Sequence, residues 1–232
     1  MPAQSPGPVP KEALSFFRDK KLYPAFDYLD VWKEEHGYAF TVAKLMEVDV
    51  LDFVRNEIDK AIVEGTTFQS WQKTVKARMM ESGWGDDVKA KEQSSRHRLR
   101  IIFDTNLRTA RAAGQWERIQ RTKKAMPYLL YELGPSEHHR PEHADWAGTL
   151  LPADDSFWET HFAPNGWLCK CHISQIGRRE FDKLGGATDR PPLNNEPWTN
   201  PKTGKVEQIP KGIDPGFNYN FGKDRVPDSW GK

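Results

Sequence analysis

Five of the seven histidines and both cysteines of this 232-residue chain lie between Glu137 and Ser174. In order they are His138, His139, His143, His161, Cys169, Cys171 and His172. Imidazole nitrogen and thiolate sulfur suit zinc, and four such donors close a tetrahedral structural site. His139, His143, Cys169 and Cys171 form the preferred set, with His138, His161 and His172 as substitutes. The Cys-x-Cys spacing is tighter than the two to four intervening residues usual in zinc knuckles. Two turn-rich strings, Gly134-Pro135-Ser136 and Ala163-Pro164-Asn165-Gly166-Trp167, accompany the donors. Such a stretch buries little apolar surface, so a bound Zn2+ would contribute to its folding.

The same residues admit a second chemistry. His138-His139, Asn165 and His172 are the residue types of a histidine-asparagine-histidine nuclease core, in which one imidazole activates water and another holds a metal. The paired Cys-x-x-Cys elements that accompany such a core are missing from the sequence. Asp154 and Asp155 adjoin Pro152 and Ser156, a context that suits capping of a short helix carrying Phe157 and Trp158. No Gly-rich phosphate loop, Gly-x-Ser-x-Gly elbow or dinucleotide fingerprint occurs. With no catalytic constellation of its own, the chain is expected not to be an enzyme, a metal-dependent nuclease being the alternative.

The elements that must position these residues are read from periodicity. Residues 1–10 are rich in Pro and Gly and read as a flexible N-terminus. A short helix is expected over Glu12–Lys20, and a partly helical, aromatic-rich stretch over Asp27–Lys44. Leu51, Val54, Ile58 and Ile62 mark one face of an amphipathic helix that begins near Asp49 and ends at Gly65. Thr67 starts another, with Phe68, Trp71, Val75 and Met79 on one face and Gly83 or Gly85 as its end. A third and longest helix spans about Val88 to Lys124, with Gly114 inside it. Beyond Pro127, Tyr128–Leu133 reads as a strand and Cys169–Ile176 as its partner. Ala187–Lys232 shows no sustained period and is expected to be an irregular tail. The fold class is therefore α+β: a helical region over 11–126, a small mixed Cys/His domain over 127–186, and the tail over 187–232.

Charge points to a partner only locally. The net charge is +1, and no apolar run is long enough to span a membrane, so no membrane partner is expected. The polar start at Met1 does not read as a signal peptide, and reduced cysteines are the expectation. From Arg96 to Lys124, however, nine Lys or Arg face only Asp104 and Glu117. At helical spacing Arg96, Arg100, Arg111, Arg118 and Arg121 share one sector, interrupted by Leu107 and Gly114. Such a stripe could bind phosphates of double-stranded DNA without sequence preference.

Taken together, these residues resemble the Mu F-like minor head proteins of tailed bacteriophages and their prophage copies. The resemblance rests on Tyr131-Glu132, His139-Arg140-Pro141-Glu142-His143, Trp146-Ala147-Gly148, Asp155-Ser156-Phe157-Trp158 and Pro164-Asn165-Gly166-Trp167-Leu168-Cys169-Lys170-Cys171, in the family's order. Upstream, Phe16-Phe17-Arg18-Asp19-Lys20, Asp30-Val31-Trp32, Gly65-Thr66-Thr67-Phe68-x-x-Trp71 and Thr105-Asn106-Leu107 are similar to the helical region that precedes this domain. Downstream, Asp214-Pro215-Gly216-Phe217-x-Tyr219-Asn220 is similar as well. The resemblance implies a virion morphogenesis protein of the phage head, present in the host cytoplasm during assembly. It also implies portal and inner capsid proteins as partners, a part in DNA packaging or delivery, and no catalysis. His143, Cys169 and Cys171 are the positions that match the family pattern, with His139 as the fourth.

Overall fold

The computed structural model describes residues 11–84 and 92–223. The expected flexible residues 1–10, the start of the long helix at Val88, Gly85 as a helix end and the last part of the tail lie outside the described residues. The chain forms two compact units, one running through Gly114 and the other spanning Gln115–Lys223.

The first unit is mainly helical. Helix α1 (Lys11–Arg18) buries Ala13, Phe16 and Phe17. Two-residue strands β1 (Lys21–Leu22) and β2 (Ala39–Phe40) pair in parallel, with short 3-10 turns over Tyr28–Asp30 and Lys33–Gly37 between them. Helix α2 (Val48–Glu64) buries Val50, Leu51, Val54, Ile58 and Ile62, the face expected from spacing. It ends at Gly65, whose φ of 70° is the left-handed conformation that favours glycine at a helix end. Helix α3 (Phe68–Glu81) begins at Thr67, whose side chain accepts from the Ser70 amide, and buries Phe68, Trp71, Val75 and Met79. Trp71 and Phe68 both pack on Phe103, with ring centroids 5.2 and 5.7 Å away.

Helix α4 (Glu92–Thr122) is the longest, as expected, and the boundary between the units falls within it. Its Leu99, Phe103, Ala110 and Ala113 are buried in the first unit, and its Trp116 and Ile119 in the second. Leu107 and Gly114, which interrupt the arginine sector, are buried too. Gly114 is required by close packing: a Cβ there would stand 2.4 Å from the Ala13 nitrogen.

In the second unit, β3 (Tyr128–Glu132) is the middle strand of a three-stranded antiparallel sheet. Helix α5 (Pro141–Trp146) follows, opening with Pro at its first position, where a missing N–H costs nothing. Strand β4 (Leu150–Pro152) pairs with β3 on one side, and β5 (His172–Ile176) on the other with Tyr131 opposite Ile173. The expected pairing of the two strands is thus present, and β4 is an addition to it. Asp155 caps the 3-10 turn Ser156–Glu159 by accepting from the Phe157 amide at 2.8 Å. Helix α6 (Arg178–Lys183) follows β5. The segment expected to be an irregular tail differs in part, since β6 (Asn195–Thr199) and β7 (Val206–Pro210) form a hairpin. Pro197 within β6 breaks the strand signal in the sequence, yet a proline is tolerated in a two-stranded ribbon, where one edge has no partner. The architecture is α+β, helical first and mixed afterwards. Among the described residues no helix is long and apolar enough to cross a membrane.

Candidate metal centre

Three of the four preferred donors meet. The ligand atoms of His143, Cys169 and Cys171 all lie within 4.8 Å of one another. His143 Nδ1 is 3.7 Å from Cys169 Sγ and 3.5 Å from Cys171 Sγ. Bonds of about 2.3 Å to sulfur and 2.0–2.1 Å to nitrogen at tetrahedral angles would put these atoms about 3.6 Å apart. The two nitrogen–sulfur separations are compatible with that spacing, and the donor types suit the ion.

Local structure explains the convergence. His143 sits on α5, stacked on Trp146 with ring centroids 4.9 Å apart. Burial alternates along Cys169, Lys170, Cys171, His172 and Ile173, the odd positions buried and the even ones exposed. An extended chain projects alternate residues to one side, so the tight Cys-x-Cys spacing sends both sulfurs inward beside Ile173. A turn closed by the Cys169 amide on the Gly166 carbonyl, with Leu168 at φ 57°, brings the chain into this register. Gly134 lets the exit of β3 pass close by, since a Cβ there would fall 1.9 Å from the Lys170 carbonyl oxygen.

The hydrogen-bond pattern fixes the tautomer of His143. His143 Nε2 lies 2.9 Å from the Gly212 carbonyl, which only accepts, so Nε2 carries the hydrogen. In the neutral ring the Nδ1 lone pair then faces both sulfurs, and a carbonyl partner on the other nitrogen is the usual outer support of a histidine ligand. Of the thiols Cys171 ionises first. The hydrogen bond from Cys169 lowers its pKa, against the cost of burial. The same bond to Cys171, and then burial, push Cys169 up. Burial and then the two neighbouring thiols also push up Tyr131, whose hydroxyl donates to Asn165 Oδ1 at 3.0 Å.

The remaining sequence candidates lie elsewhere. His139 and His138 are exposed and outside the cluster, and among the described residues no fourth His, Cys, Asp or Glu joins it. His172 is exposed, its Nε2 3.4 Å from Glu132. His161 is buried between Phe157 and Trp146, and burial lowers its pKa to about 4, so it is a neutral packing group. Asn165 is fully buried, receiving Tyr131 and donating to the Thr160 carbonyl at 3.3 Å.

The arginines of α4 divide between the units. In the first, Arg96 and Arg111 are exposed, whereas Arg100 lies 3.9 Å over the Phe68 ring and 3.7 Å from Asp104. Arg121, in the second, pairs with Glu117 at 3.5 Å, and Arg118 is half-buried.

Residues 52–174 match the family described as Phage Mu protein F like protein, and this span contains all three converging donors. The chain belongs to that family. It is similar to the "Putative capsid assembly protein F" of Escherichia phage Mu, 30% identical over 246 residues that cover 94% of this chain and 56% of that relative. It is also similar to the "Mu-like prophage FluMu F protein" of Haemophilus influenzae, 28% identical over 218 residues, 82% of this chain and 52% of that one. The chain thus spans about half the length of these Mu F relatives. No solved structure matches it.

Two residues whose role at the centre was not legible in the sequence support it. From beyond the family match, Gly212 touches His143, and Asp214 holds Arg140 beside it. Their signal was the turn string Asp214-Pro215-Gly216, which marks a bend but not what the bend holds.

Proposed function

We propose that this chain is a minor morphogenesis component of a tailed-phage head, of virion or prophage origin. The carrying observation is the Mu F family match over residues 52–174. The capsid-assembly name of the phage Mu relative supports a place among head components, in the virion and, during assembly, in the host cytoplasm. Portal and inner capsid proteins are its partners in this reading, following the resemblance. Packaged double-stranded DNA is a further partner, contacted without sequence preference by α4, whose Arg96 and Arg111 are exposed. A phage deleted for the gene should yield few DNA-filled heads, and restoring the gene should recover them. Unchanged particle yield and DNA content in the deletion would refute the role.

Within that role, His143 Nδ1 and the Cys169 and Cys171 thiolates hold a structural zinc ion in the Cys/His domain over 127–186. The ion would neutralise two buried thiolates and tie α5 to the start of β5. His139, exposed and outside the cluster, is not part of this donor set.

One observation favours a second reading. Catalytic zinc keeps three protein ligands and an open position, and three donors are what the described residues bring together. That ligand count would also serve a catalytic zinc, such as a metal-dependent nuclease would need. Supporting the structural reading instead, the donors are only 3–7% exposed, and Asn165 spends its amide on Tyr131 and Thr160. Plasmid DNA incubated with the protein and Mg2+, Mn2+ or Zn2+ should survive. Cleavage abolished by His143→Ala would establish the nuclease.

A further inference from the structure

We propose that residues 211–221 form a strap over the metal centre and that Gly212 and Asp214 are positioning residues for its ligands, so that metal binding and strap docking promote each other. The proposal rests on the metal reading above. The strap holds both protein segments that supply the donors. On the helix side, the Gly212 carbonyl accepts from His143 Nε2 at 2.9 Å and from Arg140 at 3.4 Å. On the cysteine side, the Asp214 carboxylate accepts from the Trp167 amide at 2.8 Å, and the Asp214 amide donates to the Asn165 carbonyl at 3.0 Å. The same carboxylate oxygen accepts from Arg140 at 2.8 Å, closing the bridge between the two sides.

The fit is made by the absence of side chains. A Cβ on Gly166 would stand 2.3 Å from the Arg140 guanidinium and 2.4 Å from the Asp214 carboxylate. Gly212 has φ +90°, and a Cβ on it would stand 2.5 Å from Glu142 Cβ. Ile213, Phe217, Tyr219 and Phe221 are buried, and the Phe217 ring meets Trp167 edge to face at 4.8 Å.

The chemistry follows from the carbonyl. Because it fixes the proton on Nε2, the Gly212 oxygen selects the tautomer whose Nδ1 can bind a metal, and it raises that nitrogen's basicity. Linkage is reciprocal: a strap that improves metal affinity must be held more firmly when metal is bound.

The test uses the full chain. Zn2+ affinity is measured by competition with a chromophoric chelator for the wild type, Asp214→Ala and Asp214→Asn, with far-UV circular dichroism as a folding control. Cobalt loading reads the thiolate-to-metal absorption directly. Loss of this outer support should weaken Zn2+ binding roughly 10–100-fold in Asp214→Ala. Asp214→Asn, which keeps an acceptor for the Trp167 amide, should recover part of the loss. Trypsin reads the strap itself at Lys211: Zn2+ should slow cleavage of the wild type, and chelator should speed it to a rate near that of Asp214→Ala. Wild-type Zn2+ affinity in folded Asp214→Ala, with Lys211 cleavage indifferent to Zn2+, overturns the strap while the metal site stands. A wild type that takes up neither Zn2+ nor Co2+ overturns both, and is recognised because Asp214→Ala then changes cleavage without any metal dependence.

Discussion

Replacing Gly114 by Ala sets two opposed effects against each other inside α4. Alanine is the better helix former by about 1 kcal/mol, so an unpacked position would gain stability. Here the added methyl would meet backbone, at 2.4 Å from Ala13 N, 2.8 Å from Ala13 Cα and 3.0 Å from Glu12 C. Contacts between carbon atoms are comfortable at about 3.5–4.0 Å, so one of the helices must shift by about 1 Å. Helix α1 is poorly able to yield. Its Ala13, Phe16 and Phe17 are buried to within 2% exposure, and Arg18 grips Asp59 through two bonds of 2.7 and 2.8 Å. The cost should therefore fall near the upper end of the usual overpacking range, about 3 kcal/mol, leaving a net loss of about 2 kcal/mol. For a unit of this size that corresponds to a melting temperature lower by roughly 6–10 °C. Urea denaturation followed by tryptophan fluorescence reads this unit through the buried Trp71 and Trp84. A variant as stable as the wild type, or more so, would refute the close approach of α1 and α4.

Other perturbations follow from the same structure. Cys169→Ser should remove the roughly one bound Zn2+ per chain found by elemental analysis and lower the melting temperature, whereas chelator should destabilise only the wild type. If the wild type carries no metal and melts unchanged in chelator, the cysteines are packing residues. Changing Arg100, Arg111 and Arg118 to Gln should weaken DNA binding equally on all sequences and flatten its salt dependence by about 0.9 log units per lost phosphate contact. No binding at low salt, or no effect of the triple change, would assign the stripe to another partner. Burial lowers the Lys20 pKa to about 7 from its ordinary 10.5. The unfolded chain then holds more protons between those values, so stability rises with pH across that window, by up to about 1.4 kcal/mol per unit. His36, pushed down to about 4 by burial and then by Lys20, titrates below the window and adds no slope there. Lys20→Met should accordingly stabilise most below pH 7, with its advantage shrinking toward pH 10.5 in denaturation curves. A pH-independent difference would contradict the burial of a neutral amine.

Helices α2 and α3 could be read from the chain because their causes are local. The spacing of Leu51, Val54, Ile58 and Ile62 is a property of one segment, as are the Thr67 cap and the left-handed Gly65 end. Strand β3 was legible as an apolar run bounded by Pro127 and Gly134, and β5 from the loose alternation of Cys171, Ile173 and Ile176; the two pair. The three residues of β4 and the hairpin of β6 and β7 were not, since short segments containing Pro152 and Pro197 carry little strand signal of their own.

At the candidate centre, the sequence by itself determined that soft donors crowd between Glu137 and Ser174, and that His143, Cys169 and Cys171 fit the family pattern. It could not separate His139 from His143 as ligands, because both are near in sequence and ligand geometry is a matter of angstroms. Tertiary structure decided that. Helix α5 buries His143 and leaves His139 outside, while alternation before β5 turns both sulfurs toward the same ring. It alone brought in Gly212 and Asp214, 69 and 74 residues from their partners His143 and Arg140. Separations of that size leave no periodicity to read, and only the closed fold, with backbone groups seeking partners, puts a carbonyl on an imidazole and a carboxylate on a guanidinium.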